Sequence, residues 1–191
     1  KKMASLKPAM IEVDISCPHL DYGKPYYADP NLTAEVTKIV KKNSGRIPVS
    51  IKLSPNVHDI KEIAHAAEKA GADAITAINT ATGMTIDVDA RKPILSNKIG
   101  GVSGPALKPI AVRCVYEIHE TVKIPIIGTG GVTYGKDAIE MVMAGATGIG
   151  IGTGIFYRGI DVFRKVCDEM LAWMKKNKVK SLDEIRGCAH E

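Results

Sequence analysis

Apolar residues along this chain fall into short strand-like runs, each followed by a polar tip and then by a stretch with helical spacing. The unit recurs. Its first instance is Met10 to Pro18, M-I-E-V-D-I-S-C-P, where Ile11, Val13 and Ile15 alternate with Glu12, Asp14 and Ser16, the period of a strand with two unlike faces. Pro18 has no N–H to give a ladder, so the strand ends there and Cys17 stands on the rim of a sheet. His19 to Asp29 holds Gly, Pro and three tyrosines without a period. It reads as a loop over Cys17, placed as a lid.

Asp29-Pro30 predicts an N-cap with proline at the first helical position, and Leu32, Val36, Ile39 and Val40 then recur at helical spacing until Asn43-Ser44-Gly45. A strand over 47–53, a helix over 58–70 closed by Gly71, and a strand over 74–78 ending in Asn79-Thr80 follow. Residues 81–104 interrupt the rhythm with short β-prone pieces, 84–88 and 93–95, and a glycine-rich I-G-G-V-S-G. Excursions of this length usually carry function or subunit contacts, and this one is the candidate contact of a homodimer. Beyond it the pattern predicts a helix from Pro105 to about Thr121, a strand over 124–127 running into G-T-G-G, a helix over 135–144 and a strand over 147–151 running into G-T-G. One long amphipathic helix from about Phe156 to Lys176 and a short helical piece over 181–185 complete the pattern.

Five β-α units with short connections require parallel strands and right-handed crossovers, hence a barrel or an open doubly wound sheet. Glycine-rich tips on the last two strands, each leading into a helix start, match the phosphate site of an eight-stranded β/α barrel. The expected fold is therefore α/β, a (β/α)8 TIM barrel of which this chain covers about strands 4 to 8, as a single domain over 1–191. Such a barrel typically takes about 250 residues. The 191 here then read as the carboxyl-terminal part of a longer polypeptide.

Charge and cysteine usage narrow the function classes. The net charge is +5, but the lysines are scattered or end helices and form no stripe interleaved with aromatics, which speaks against nucleic acid as a partner. Cys17, Cys114, Cys167 and Cys188 show no C-x-x-C spacing, pointing to a reducing, cytoplasmic compartment without a structural metal. No apolar run approaches the roughly 20 residues of a membrane span. Cys114 and Cys167 sit inside helical patterns as small core residues, and Cys188 lies in the tail.

Four groups carry candidate chemistry. Gly128 to Gly131 and Gly152 to Gly154 offer backbone N–H groups with no side chain to block a phosphate, and Thr153 adds a hydroxyl. Lys52, near a strand end, either faces solvent or neutralises negative charge in a barrel mouth. Asn79-Thr80 offers the donor and acceptor set that reads a heterocycle with imide edges, or else caps a strand. Cys17, between Ser16 and Pro18, is a candidate base or nucleophile.

These motifs, S-C-P at 16–18, K-L-S-P-N at 52–56, I-N-T at 78–80, G-G-V-S-G-P-A-L-K-P at 100–109, I-I-G-T-G-G at 126–131 and I-G-T-G at 151–154, resemble the carboxyl-terminal two thirds of class 1 dihydroorotate dehydrogenase, closest to subclass B. The resemblance implies an FMN-binding barrel that oxidises dihydroorotate to orotate in pyrimidine biosynthesis. It makes Cys17 the base that removes the C5 proton while hydride leaves C6 for the flavin, and it sets Lys52 beside the flavin N1 and O2. It puts Asn79 and Thr80 on the pyrimidine, Ser103 and Gly104 on the flavin, and Gly130, Gly131, Gly152 and Thr153 around its phosphate. It further implies an iron–sulfur and FAD subunit that passes electrons to NAD. Asp14 and His19 stand where the family usually has substrate-binding asparagines, and histidine after S-C-P also occurs in dihydropyrimidine dehydrogenase. A reductase of that kind, a non-redox barrel holding a phosphorylated metabolite, and a non-catalytic assembly subunit remain open beside the main reading.

Overall fold

A computed structural model describes residues 2–16 and 26–190. Its core is a five-stranded parallel sheet of β1 (Ile11–Asp14), β2 (Val49–Leu53), β3 (Ala74–Ala77), β8 (Ile126–Thr129) and β9 (Gly148–Gly150), paired in that order. Between β3 and β8 run four short strands, β4 (Ala81–Gly83), β5 (Ile86–Asp87), β6 (Lys92–Pro93) and β7 (Gly100–Val102). They pair antiparallel as β4 with β7 and β5 with β6.

The helices are α1 (Lys2–Ser5), α2 (Pro30–Ser44), α3 (Ile60–Lys69), α4 (Lys108–His119), α5 (Gly135–Met143), α6 (Gly154–Arg158) and α7 (Val162–Lys176). Sheet neighbours are also chain neighbours, and α2, α3, α4, α5 and α7 touch in sequence. A doubly wound sheet reverses its strand order to place helices on both faces. Here nothing reverses, so right-handed crossovers stack every helix on one face, and the arrangement is part of a (β/α)8 barrel.

That outer face holds the core. Val49, Ile51, Leu53, Ile75 and Ala77 are fully buried and cluster with Ile63, Ala67, Ala111, Val115, Ile118 and Met141 from the helices. The alternate residues turn inward, where Ser50 Oγ lies 2.9 Å from Thr76 Oγ1, and Thr76 donates to Glu12 Oε2 at 2.6 Å.

Local chemistry sets the element ends. Asp29 accepts from the N–H groups of Asn31 and Leu32 at 2.8 and 3.3 Å to start α2, and Asp59 accepts from Lys61 at 2.8 Å to start α3. The strand expected over 124–127 runs two residues later. Glu68 Oε1 takes the N–H groups of Lys123 and Ile124 at 2.6 and 3.2 Å, which keeps both out of the ladder. The single long helix expected from Phe156 is two helices, because Gly159 adopts φ 74°, outside the helical region. Cys167 is exposed instead of being a core residue, since α7 turns Val162 and Val166 inward and the next position lies about 100° around. Among the described residues no helix is long and apolar enough to cross a membrane.

Candidate functional site

Parallel strands of this fold end together on one rim, and the described site residues gather there. A cavity of about 170 Å³ lies at the carboxyl ends of the strands. Lys52 lines it from β2, Asn79 and Thr80 from the chain after β3, Ser103 and Gly104 from the chain after β7, and Gly130, Gly131, Gly152 and Thr153 from the turns after β8 and β9. Residues more than a hundred positions apart thus share one opening. A smaller cleft beside it is lined by Ser16, Asn56, Thr80, Thr82, Gly100 and Gly101, so Thr80 borders both. Cavities that enclose a drug-sized ligand hold about 300–1,000 Å³, more than this opening offers among the described residues. Cys17 and His19 lie outside the described residues.

The glycines are required by close packing. A Cβ on Gly130 would lie 2.6 Å from Ala111 Cβ, and one on Gly131 2.7 Å from the Lys108 backbone. Both adopt positive φ, 136° and 74°. The N–H groups of Gly130, Gly131, Gly152 and Thr153 have no protein acceptor among the described residues. Space around Gly152 is open, and Thr153 donates its hydroxyl to Ser103 Oγ at 2.8 Å. Free backbone donors around a turn without side chains suit an anion such as a phosphate.

One expectation needs correction: the two turns do not both lead into a helix start with free donors. At α5, Asp137 Oδ2 accepts the N–H groups of Thr133 and Tyr134 at 2.9 and 2.8 Å, and Glu169 Oε2 accepts that of Gly135 at 2.6 Å. That helix start is satisfied within the protein.

Charges buttress this turn from behind. Burial by itself raises the Asp137 pKa, but the Lys108 ammonium at 2.9 Å and the two N–H groups prevail and hold the carboxyl below its usual range. Arg158, bonded at 2.6 Å, likewise holds Glu169 low.

Asp14 does not line the cavity. Its Oδ1 accepts the Ser16 N–H at 2.9 Å and the Ser16 hydroxyl, and the Asn79 amide approaches it at 3.4–3.5 Å while donating to Ser16 Oγ at 2.5 Å. Asp14 thus ties the exit of β1 to that of β3. Asn56, quoted within K-L-S-P-N but given no role there, does the same between β2 and β4. Its side-chain amide donates to Ser54 Oγ and Thr80 O, each at 3.0 Å, and accepts from Thr82 N at 2.8 Å. An Asn two residues beyond a serine at a strand exit was the available signal. The pairs Lys108–Asp137 and Arg158–Glu169 had none, since only packing joins them.

Residues 1–174 match the family model described as dihydroorotate dehydrogenase. Among curated relatives, proteins named dihydroorotate dehydrogenase B (NAD(+)), catalytic subunit, from Methanocaldococcus jannaschii and Methanothermobacter thermautotrophicus are 51% and 49% identical. Each alignment covers 95% of this chain, but only 59% and 61% of the relatives. The chain therefore spans about three fifths of their length. Crystal structures of DHODH from Eimeria tenella, one with ferulenol and one ligand-free, superpose with TM-scores of 0.80 and 0.79 at 22% identity, covering 96% of this chain and 55% and 56% of theirs. With a family pattern over residues 1–174 and relatives half identical along nearly its whole length, the chain belongs to the dihydroorotate dehydrogenase family.

Proposed function

We propose that the protein to which this chain belongs is an FMN-dependent dihydroorotate dehydrogenase that oxidises dihydroorotate to orotate in the cytoplasm. The observation that carries the reading is the convergence of Lys52, Asn79, Thr80, Ser103, Gly104, Gly130, Gly131, Gly152 and Thr153 on one cavity in a chain of this family. A flavin bound there would supply the acceptor for the hydride, which carries both electrons of the oxidation.

The chain's own residues hold and orient. The free N–H groups of the two glycine turns take the phosphate, with Thr153 beside them. Lys52 sets a cation where negative charge collects on electron uptake. Asn79 and Thr80 face the substrate ring. Cys17, next in sequence after the buried Ser16, takes the C5 proton as hydride leaves C6. Asp14, already engaged by Ser16 and Asn79, orients Asn79, and His19 borders the substrate.

The relatives' printed names specify a catalytic subunit and NAD(+), which supports a partner subunit; that this partner passes electrons through FAD and an iron–sulfur centre is the part of the proposal that follows from the family resemblance. The arm over 84–102 exposes Met84, Ile86, Val88, Ile94 and Leu95, an apolar surface that suits a homodimer contact.

The intact protein is expected to be yellow and to bleach anaerobically on adding dihydroorotate, with dihydrouracil far slower. A faster response to dihydrouracil would replace the substrate, and a colourless protein would overturn the reading. Cys17→Ser should keep the colour while flavin reduction slows at least a hundredfold. The wild-type rate should rise with pH through about 8.5, where an unperturbed thiol ionises.

A further inference from the structure

We propose that Arg158 is a positioning residue that locks the two glycine turns into one phosphate cradle. This rests on the flavin reading above and names the residue that gives its phosphate site a fixed shape.

The turns touch each other through backbone. A Cβ on Gly154, in the second turn, would lie 2.7 Å from the carbonyl oxygen of Val132, at the end of the first. With backbone set against backbone at that point, their spacing depends on what pins the backbone from outside. Arg158 is placed to do this. It closes α6, directly after the second turn, and reaches back across to the first.

Its Nη1 donates to the carbonyl of Thr133 at 2.9 Å and its Nη2 to Glu169 Oε1 at 2.6 Å, while the guanidinium carbon sits 4.5 Å over the Tyr134 ring. The other Glu169 oxygen takes the Gly135 N–H, so one guanidinium joins the first turn, the helix after the second, and α7. The side chain is 17% exposed. Asp137 holds the N–H of Thr133, so the two peptide groups that flank the Thr133 Cα are each gripped, one at its N–H and the next at its carbonyl. Gly130 and Gly131 carry no Cβ, so their conformation is fixed only by packing and bracing from outside. Bracing them holds their N–H groups in place before the anion arrives, which lowers the ordering cost of binding. The task needs a planar fork that bonds in two directions and stacks on a ring, which lysine cannot supply.

The test separates a phosphate cradle from general support by using two flavins that differ only in phosphate. Flavin-depleted full-length protein is titrated with FMN and with riboflavin, following flavin fluorescence. Arg158→Met is expected to weaken FMN binding roughly 10- to 100-fold and riboflavin binding by less than about threefold, within the scatter of a surface change. Glu169→Gln, which loosens the anchor but keeps the guanidinium, reads the same contrast if Arg158→Met folds poorly, with a loss of roughly 3- to 10-fold confined to FMN. Parallel loss of both flavins, or unchanged FMN binding in both variants, overturns the proposal alone. Wild-type protein that binds neither flavin overturns the proposal together with the reading beneath it.

Discussion

The two faces of one sheet follow opposite rules. Outward, Val49, Ile51, Leu53, Ile75 and Ala77 are sealed from water under the helices. Inward, β1, β2 and β3 present Glu12, Asp14, Ser50, Lys52 and Thr76, of which Ser50, Thr76 and Glu12 are linked by hydrogen bonds. The outer face stabilises by excluding water, at about 25 cal/mol per Å² of apolar surface. The inner face contributes little of that; it pairs Ser50, Thr76 and Glu12 with one another and brings Lys52 to the cavity. Stability and chemistry are thus separated by the one-residue alternation of a strand.

Adjacent residues of β2 offer the most direct way to break this comparison. Leu53→Ala on the outer face leaves a cavity among packed side chains and should destabilise by about 2–5 kcal/mol, read as a lower midpoint in thermal unfolding of the intact protein. An equal loss from an inward substitution would erase the distinction.

Behind the outer layer, Asp137 tests whether charge contributes where the glycine turn is braced. Burial works to raise its carboxyl pKa, but the hydrogen bonds from Lys108, Tyr134 and Thr133 hold it below the ordinary aspartate range in the folded protein. Its contribution is therefore present above the unfolded value and lost as pH falls through the lower folded one. The stability gap between wild type and Asp137→Asn should be widest above the ordinary aspartate range and shrink as pH falls below it. A gap that does not vary with pH would show that the N–H groups of Thr133 and Tyr134 are satisfied equally well by an amide.

The smallest stability effect belongs to Lys52, beside Leu53 but facing inward. Lys52→Met should move the unfolding midpoint by no more than a typical surface change, within about 0.5 kcal/mol, while slowing flavin reduction by dihydroorotate. A large loss of stability there would make Lys52 a structural residue.

Much of this was legible along the chain because it is local. Strand alternation, the N-cap at Asp29, and glycine after β8 and β9 all express backbone sterics and hydrogen bonding within a few residues. The break at Gly159 was obscured because the apolar spacing continues across it into α7. The shift of β8 was hidden because Glu68, which removes Lys123 and Ile124 from the ladder, is more than fifty residues away.

By itself the sequence determined the β-α order, the glycine turns, and a family pattern that names the groups expected to meet. Tertiary structure alone decided that strand order never reverses, so that Lys52, Asn79, Ser103, Gly130 and Thr153 share one opening. It alone committed the start of α5 to Asp137 and Glu169, and brought Arg158 onto the first turn. The physical reason is range. Local preferences are set by neighbours in the chain, whereas a carboxylate or guanidinium finds its partner only after packing has brought distant segments together.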